Sequence, residues 1–424
     1  MRANGWSITA LLKLSPASWA IILASVTLSL IGLIVFARLA DGTGPTSTFA
    51  PGYLKRQAAY LAVSLIAMLA VSKISYLRIG RWAYPLFALT IALLFAVLVF
   101  GHLGQSAPVV KDVFPKINGS CRWIKLPFFQ IQPSELVKIS YILALAMYLR
   151  YRSNYRRFLG LIEPFAFTLL PMILILLEPD LGTVMLLFPV LFLTLFAAGA
   201  KTRHLVAIVA LMVLASPLLY FKMADYQKGR LAGVLLQSPK VRAYLEQHPR
   251  VKQAVCPGES LRRWEPRQGY QLHHSKMAVG SGGVLGFPGG PGPYTSGAYH
   301  LPESHNDFVF SIIGHQFGFV GSLLVIGLYG IIVVSLIEIA GVVVEPFGRL
   351  IVVGTFAMIL TQAAINMAMT IGLMPITGVT LPFVSYGGSS LLTFFILIGL
   401  CVSVDRTRPV VMGPRPFEFP DDDA

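Results

Sequence analysis

The amino-acid sequence predicts an all-α polytopic membrane protein, with about ten transmembrane helices in one bundle and a large extracytoplasmic loop between the seventh and eighth. Three observations carry that expectation. Of 424 residues, 55% are hydrophobic and 12% charged, with a mean hydropathy of +0.70; an average soluble domain is roughly 25% charged. Apolar runs long enough to cross ~30 Å of hydrocarbon recur along the whole chain. Lys and Arg are scattered between these runs rather than gathered in a basic domain, so the net charge of +15 does not indicate a nucleic-acid partner.

In chain order the runs read as spans at 17–37, 57–72, 82–102, 131–149, 163–178, 181–200, 205–221, 308–337, 350–372 and 383–404. Backbone groups in lipid must be satisfied within the segment, so the spans are helices. The first run exceeds the ~7–15 apolar residues of a secretory signal and no small-residue cleavage site follows it, so it reads as a span. With an even number of spans and the N-terminus in the cytoplasm, fifteen Lys and Arg fall in inside segments, including Lys73, Arg78, Arg150, Arg156 and Arg406. The short outside loops hold about seven, the bias expected of cytoplasmic loops. Eleven more lie between Lys222 and Asn306, but so long a loop crosses largely regardless of charge. The expected organisation is one membrane domain over 1–424, an extracytoplasmic loop at 222–306 and a cytoplasmic tail at 405–424. The termini are then both cytoplasmic.

Cys121, Cys256 and Cys401 make no metal-ligand pattern and no disulfide framework. Cys121 and Cys256 fall on the same side, where one bridge and two free thiols are both open. The stretch "GSGGVLG" is not a nucleotide fingerprint, since it lies on no strand and lacks the Lys of a phosphate-binding loop; it reads as a flexible or re-entrant loop, or as backbone amides that help hold a phosphate. "SPKVRAYLEQHPRVKQAV" is polar and helix-forming.

Charged groups at membrane depth are costly, so each is a candidate for function. Ser134 is the expected N-cap of the fourth span. Glu135 and Lys138 follow on one face of that helix, as an ion pair or as one wall of a polar cavity. In "EPDLGT", Asp180 caps the sixth span, with Glu178 at the preceding turn. Gln362 and Asn366 share a face suited to hydrogen bonds between helices, and His315 and Gln316 are expected to bond internally. Asp307 stands where the long loop meets the eighth span, preceded by Glu303, His305 and Asn306. It can cap that helix, or, partly desolvated at the mouth of the bundle, act as a general base.

Five stretches in order, "CRWIKLPFFQIQPSELVK", "EPDLGT", "GYQLHHSKMAVGSGG", "LPESHNDFVF" and "MPITGVTLPFVSYGGSSLL", resemble the signature motifs of the SEDS family (shape, elongation, division and sporulation), the group containing RodA and FtsW. The resemblance runs from about Leu14 to Val404, weaker between Asp225 and Arg267. It implies a ten-helix peptidoglycan polymerase of the bacterial cytoplasmic membrane. Its implied substrate is lipid II, the undecaprenyl-pyrophosphoryl disaccharide-pentapeptide, and its implied partner a class B penicillin-binding protein. The motif's essential aspartate corresponds to Asp307. Arg122, Trp123, Glu135 and Lys138 correspond to the lining of an outward cavity, and Glu303 and His305 join them as candidate substrate contacts. On this expectation Asp307 takes a proton from the acceptor hydroxyl while Arg122 and Lys138 stabilise the departing pyrophosphate, with inversion in a single displacement. No cofactor is specified, and a divalent cation is left open.

The chain departs from the family pattern at His315 and Gln316, where an acidic pair is common, at His273 and His274, and at Asn306, where Thr is commoner. The segment 238–267 is extra length in the outer loop. "PITGV" leans toward RodA and "TLPF" toward FtsW. A flippase for a lipid-linked sugar and a non-catalytic scaffold are the competing classes. A transporter predicts internal repeats and discontinuous helices meeting at the midplane, whereas the motif charges here gather at the outer edge.

Overall fold

The computed structural model describes residues 14–41, 52–103, 108–117, 120–125, 130–223, 225–255 and 269–407. Ten long helices form the bundle: α1 (Pro16–Ala40), α2 (Gly52–Lys73), α3 (Ala83–Leu103), α4 (Pro133–Arg150), α5 (Ile162–Leu177), α6 (Leu181–Ala197), α7 (Thr202–Lys222), α8 (Val309–Val342), α9 (Pro346–Thr370) and α10 (Gly388–Thr407). Each overlaps one of the ten runs read from the sequence. The last helix reaches Thr407, past the expected tail boundary at 405, because Asp405 accepts hydrogen bonds from the hydroxyls of Ser15 (2.5 Å) and Ser18 (2.7 Å) and so ties the end of α10 to the start of α1.

The bundle is layered around α4, which packs against α3, α5, α6, α9 and α10. Thirteen of its eighteen residues are buried, so its polar side chains must find partners inside protein. Its N-cap is Gln132, not Ser134 as expected. Pro133 sets the φ of the first helical position and starts the helix early, leaving the Ser134 hydroxyl buried without a hydrogen bond among the described residues. By contrast α7 shows most of its surface, with Leu211, Val213, Leu214 and Leu218 all exposed.

The eighth span, expected as one helix, is broken. Gly318 has φ 65° and ψ −159°, a region open essentially only to glycine. The segment after the helix Tyr270–Ser281 docks into the break: the amides of Phe319 and Val320 donate to the carbonyls of Gly283 (2.9 Å) and Val284 (3.1 Å), and the amide of Phe287 donates to Gln316 O (3.0 Å). These bonds replace those a continuous helix makes, and they explain the glycine-rich sequence without a ligand. His315 and Gln316 lock the same segment, as expected of them. The Tyr294 amide donates to His315 Nε2 (3.2 Å), so the proton sits on Nδ1 and is directed at the Ser281 hydroxyl (2.8 Å). In this tautomer His315 cannot act as a base toward Ser281. Gln316 Nε2 donates to the carbonyls of Phe287 (2.7 Å) and Gly290 (2.9 Å).

The region between α7 and α8 contains the helices Asp225–Leu235, Pro239–Gln247, Pro249–Val255 and Tyr270–Ser281. The polar stretch expected to be helical is split at His248 by Pro249. Between α3 and α4, Lys116–Ile117 pairs with Ser120–Cys121 and Ile124–Lys125 with Gln130–Ile131, both antiparallel. Cys256, the candidate partner of Cys121, lies outside the described residues.

Candidate active site

The loop before α8 is anchored through its backbone. The carbonyls of three successive residues each receive a donor from α9 or the loop before α10: His305 O from the Tyr386 amide (2.9 Å), Asn306 O from the Ser385 hydroxyl (2.6 Å) and Asp307 O from Asn366 Nδ2 (2.9 Å). Glu303, in a left-handed conformation (φ 53°), closes the turn by accepting from the Asn306 amide (3.0 Å) and, through its carboxylate, from Asn306 Nδ2 (2.7 Å). This fixes where the Asp307 side chain leaves the chain. The carboxylate does not cap α8, whose N-cap is Phe308, and among the described residues it receives no hydrogen bond. Gly378 (φ 76°) lies beside it, where an added Cβ would stand 3.5 Å from Oδ2.

As a residue Asp307 is only half-buried, yet its carboxyl lies deep among protein atoms. Desolvation pushes that carboxyl up to about 7. The charges of Glu303 and Asp180 add to the rise, and those of Arg230 and Arg122 oppose it. Those four residues arrive from separate elements. Asp180 caps α6, accepting from the Thr183 amide (3.2 Å) and hydroxyl (2.9 Å). Arg122 spans to the turn before it, donating from Nε to Glu178 O (2.7 Å) and from Nη2 to Pro179 O (2.5 Å). Two of its five donors are thereby used. Arg230, on the helix Asp225–Leu235, donates to Thr377 O (3.3 Å), one residue from Gly378. Glu178 is buried with neither carboxylate oxygen hydrogen-bonded among the described residues, and desolvation with the Asp180 charge pushes it up to about 8. It is therefore mostly protonated at neutral pH and adds little charge to the cluster.

The other expected contacts divide. His305 packs its ring between Tyr53 (5.6 Å) and Tyr386 (5.8 Å), and burial lowers its pKa, so it presents a neutral ring. Trp123 is half-buried next to Arg122. Glu135 and Lys138 do not line an open cavity as expected. Lys138 is 1% exposed and donates to Glu135 Oε1 (2.6 Å) and Gln362 Oε1 (2.9 Å), with the Phe394 ring 5.3 Å away. Their burial follows from the central position of α4. They still act on the site from below: Gln362 donates to Thr380 O (2.9 Å), and Asn366, one helical turn on, holds both Asp307 O and Val379 O (2.6 Å). Gln362 and Asn366 thus use their shared face to hold loops.

Arg230 was not among the sequence candidates. It belongs to a polar segment with no recognisable motif, and its part in the site depends on the fold bringing that segment against Thr377.

Fold and site together define a ten-helix membrane protein that gathers its charged groups, two arginines among carboxylates, in the loops at one end of the bundle. The model of the FtsW/RodA/SpoVE cell cycle proteins matches residues 17–409, and the chain belongs to that family. It is 31% identical over 398 residues to a probable peptidoglycan glycosyltransferase FtsW of Trichlorobacter lovleyi, covering 92% of this chain and 94% of that protein. It is 31% identical over 405 residues to the peptidoglycan glycosyltransferase RodA of Treponema pallidum, covering 84% and 90%. Among solved structures, it resembles a chain of a peptidoglycan synthase complex (TM-score 0.72, 28% identity, 94% of this chain and 99% of that one). It also resembles the rod shape determining protein RodA of Thermus thermophilus (TM-score 0.62, 26% identity, 94% and 98%).

Proposed function

We propose that this protein is a peptidoglycan glycosyltransferase that polymerises lipid II at the outer face of the bacterial cytoplasmic membrane, with Asp307 as general base. The observation that carries the reading is the state of Asp307: a backbone held by three donors, a carboxylate without a hydrogen-bond partner among the described residues, and a pKa near the working pH. A base is most effective there, because it is both available as carboxylate and strong enough to take a proton. The acceptor hydroxyl loses its proton to Asp307 as its oxygen attacks the anomeric carbon. The bond to the pyrophosphate breaks on the opposite face, inverting the centre, and Arg122 and Arg230 stabilise the charge that leaves. Lys138 is reassigned from pyrophosphate binding to support of the loops, on the strength of its burial. Glu303, His305 and Trp123 are proposed as contacts to the sugars. The names of similar proteins support the reaction class, and the likeness to a synthase complex supports partnership with a class B penicillin-binding protein.

The break in α8 is the one feature a flippase also predicts. Backbone groups at the break bond to Gly283, Val284 and Phe287 of this chain, which favours the enzyme. The test is purified protein, alone and with its cognate partner, incubated with lipid II and scored for glycan chains. Wild type is expected to polymerise and Asp307→Asn to lose about 10²–10⁴-fold in rate. Equal polymer from both removes Asp307 as base; none from wild type removes the enzyme.

A further inference from the structure

Gln57, near the start of α2, lies outside the stretches that carry the family resemblance, yet it is 3% exposed and sits against the loop that supports the catalytic aspartate. Its Nε2 donates to Ser385 O (3.2 Å) and its Oε1 accepts from the Gly387 amide (3.2 Å). Both ends of one side-chain amide are thus committed to one loop, on either side of Tyr386. Ser385 and Tyr386 in turn hold the chain before α8, through the Ser385 hydroxyl to Asn306 O (2.6 Å) and the Tyr386 amide to His305 O (2.9 Å). Asp307 is the next residue. Two successive sets of hydrogen bonds therefore join α2 to the backbone from which its carboxylate projects.

The loop is not relaxed by itself. Phe383 has φ 67° and Gly387 has φ 151°, and backbone in such regions persists where surrounding contacts over-determine it. Packing from α1 and α2 supplies part of that constraint: an added Cβ at Gly32 would stand 2.5 Å from Val384 O, and one at Gly388 would stand 3.0 Å from the Tyr60 ring. Apolar packing sets distance, whereas hydrogen bonds set direction as well. Proton transfer needs that direction, since a misplacement of about 1 Å costs on the order of 10²-fold in rate.

We propose that Gln57 is a positioning residue for proton transfer at Asp307, acting from α2 through the loop 385–387. Its effect on turnover rests on the lipid II reading, whereas its hold on the carboxyl is measurable without turnover. Gln57→Met removes both bonds in a side chain of similar length, and Gln57→Asn keeps the amide on a chain one carbon shorter. Both are expected to lower kcat for lipid II by about 10–10²-fold and leave KM within about twofold. The control is Ser403→Ala. Ser403, toward the other end of α10, also makes two bonds to backbone, donating to Ile74 O (2.6 Å) and accepting from the Tyr76 amide (3.0 Å). Its loss is expected to lower the unfolding midpoint in detergent while kcat stays within about twofold. Ser385→Ala combined with Gln57→Met is expected to be no slower than the slower single variant, because both act through one loop. Without turnover, Asp307 is labelled by a hydrophobic carbodiimide, which takes the protonated carboxyl, and the product is read by mass spectrometry as pH varies. Labelling of wild type is expected to fall as pH rises through about 7. Both Gln57 variants are expected to move that midpoint down, as the displaced carboxyl gains water.

Equal losses of kcat in Ser403→Ala and Gln57→Met overturn the positioning role, as do additive losses in the double variant. A shifted labelling midpoint in a protein that makes no polymer upholds the role while the polymerase reading falls. Polymerisation in which both Gln57 variants keep the wild-type kcat and midpoint does the reverse.

Discussion

Burial that tunes Asp307 for proton transfer also weighs on the folded state. A free carboxyl titrates near ~3.9, whereas in the folded protein this one is pushed up to about 7. Between those values the folded state holds a proton that the unfolded chain has released, so the contribution to stability falls as pH rises through that window. Asp307→Asn removes the titration. Its thermal midpoint is expected to equal wild type at pH 4 and to match or exceed it at pH 8; a lower midpoint at pH 8 contradicts the desolvated carboxyl. Such opposition between stability and function is characteristic of catalytic groups. The sequence made Asp307 legible because a carboxylate at a loop–helix boundary beside apolar residues has few uses. It did not separate capping from catalysis, since that depends on donors contributed by Tyr386, Ser385 and Asn366, far along the chain.

Single elements show where hydrophobic pattern stops being informative. All ten helices were visible as apolar runs, but the Gly318 break was not, because the bonds that make it tolerable come from Gly283 and Val284. An added Cβ at Gly318 would meet Gly286 N and Val284 O at 2.5 Å. Gly318→Ala is therefore expected to lower stability by at least about 1–3 kcal/mol through backbone strain, read as a fall in the unfolding midpoint in detergent; an unchanged midpoint contradicts the break. On α4, the pairing of Glu135 with Lys138 was evident from their spacing, while its burial was not, since nothing local reveals that five helices surround α4. Lys138→Ala leaves Glu135 buried and unpaired, at a cost of about 3–5 kcal/mol. The double variant Glu135→Leu with Lys138→Met is expected to recover most of that stability in the same assay. If the double variant is less stable than Lys138→Ala, the pair is more than a compensated burial.

Across the whole molecule, the ten helices bring five separate segments to one mouth: 122, 178–180, 230, 303–307 and 377–378. Charge bias read from the sequence leads to the expectation that this mouth is outside, and impermeant thiol labelling in intact cells tests it. In a background with the native cysteines replaced by serine, Tyr244→Cys is expected to label from outside and Arg152→Cys only after permeabilisation, both positions being exposed. The reverse pattern inverts the topology and with it the access of any external substrate. The convergence of these segments was only partly legible: the motif stretches carrying Arg122, Asp180, Asp307 and Thr377 marked four of them, whereas Arg230 joins through a carbonyl contact that no spacing encodes. The most direct test of the central claim is the pH dependence of kcat/KM for lipid II polymerisation. Wild type is expected to lose rate below an apparent pKa near 7 as Asp307 takes up its proton, and the residual rate of Asp307→Asn to show no such limb; an Asn variant that keeps both the wild-type rate and the acid limb would contradict the account.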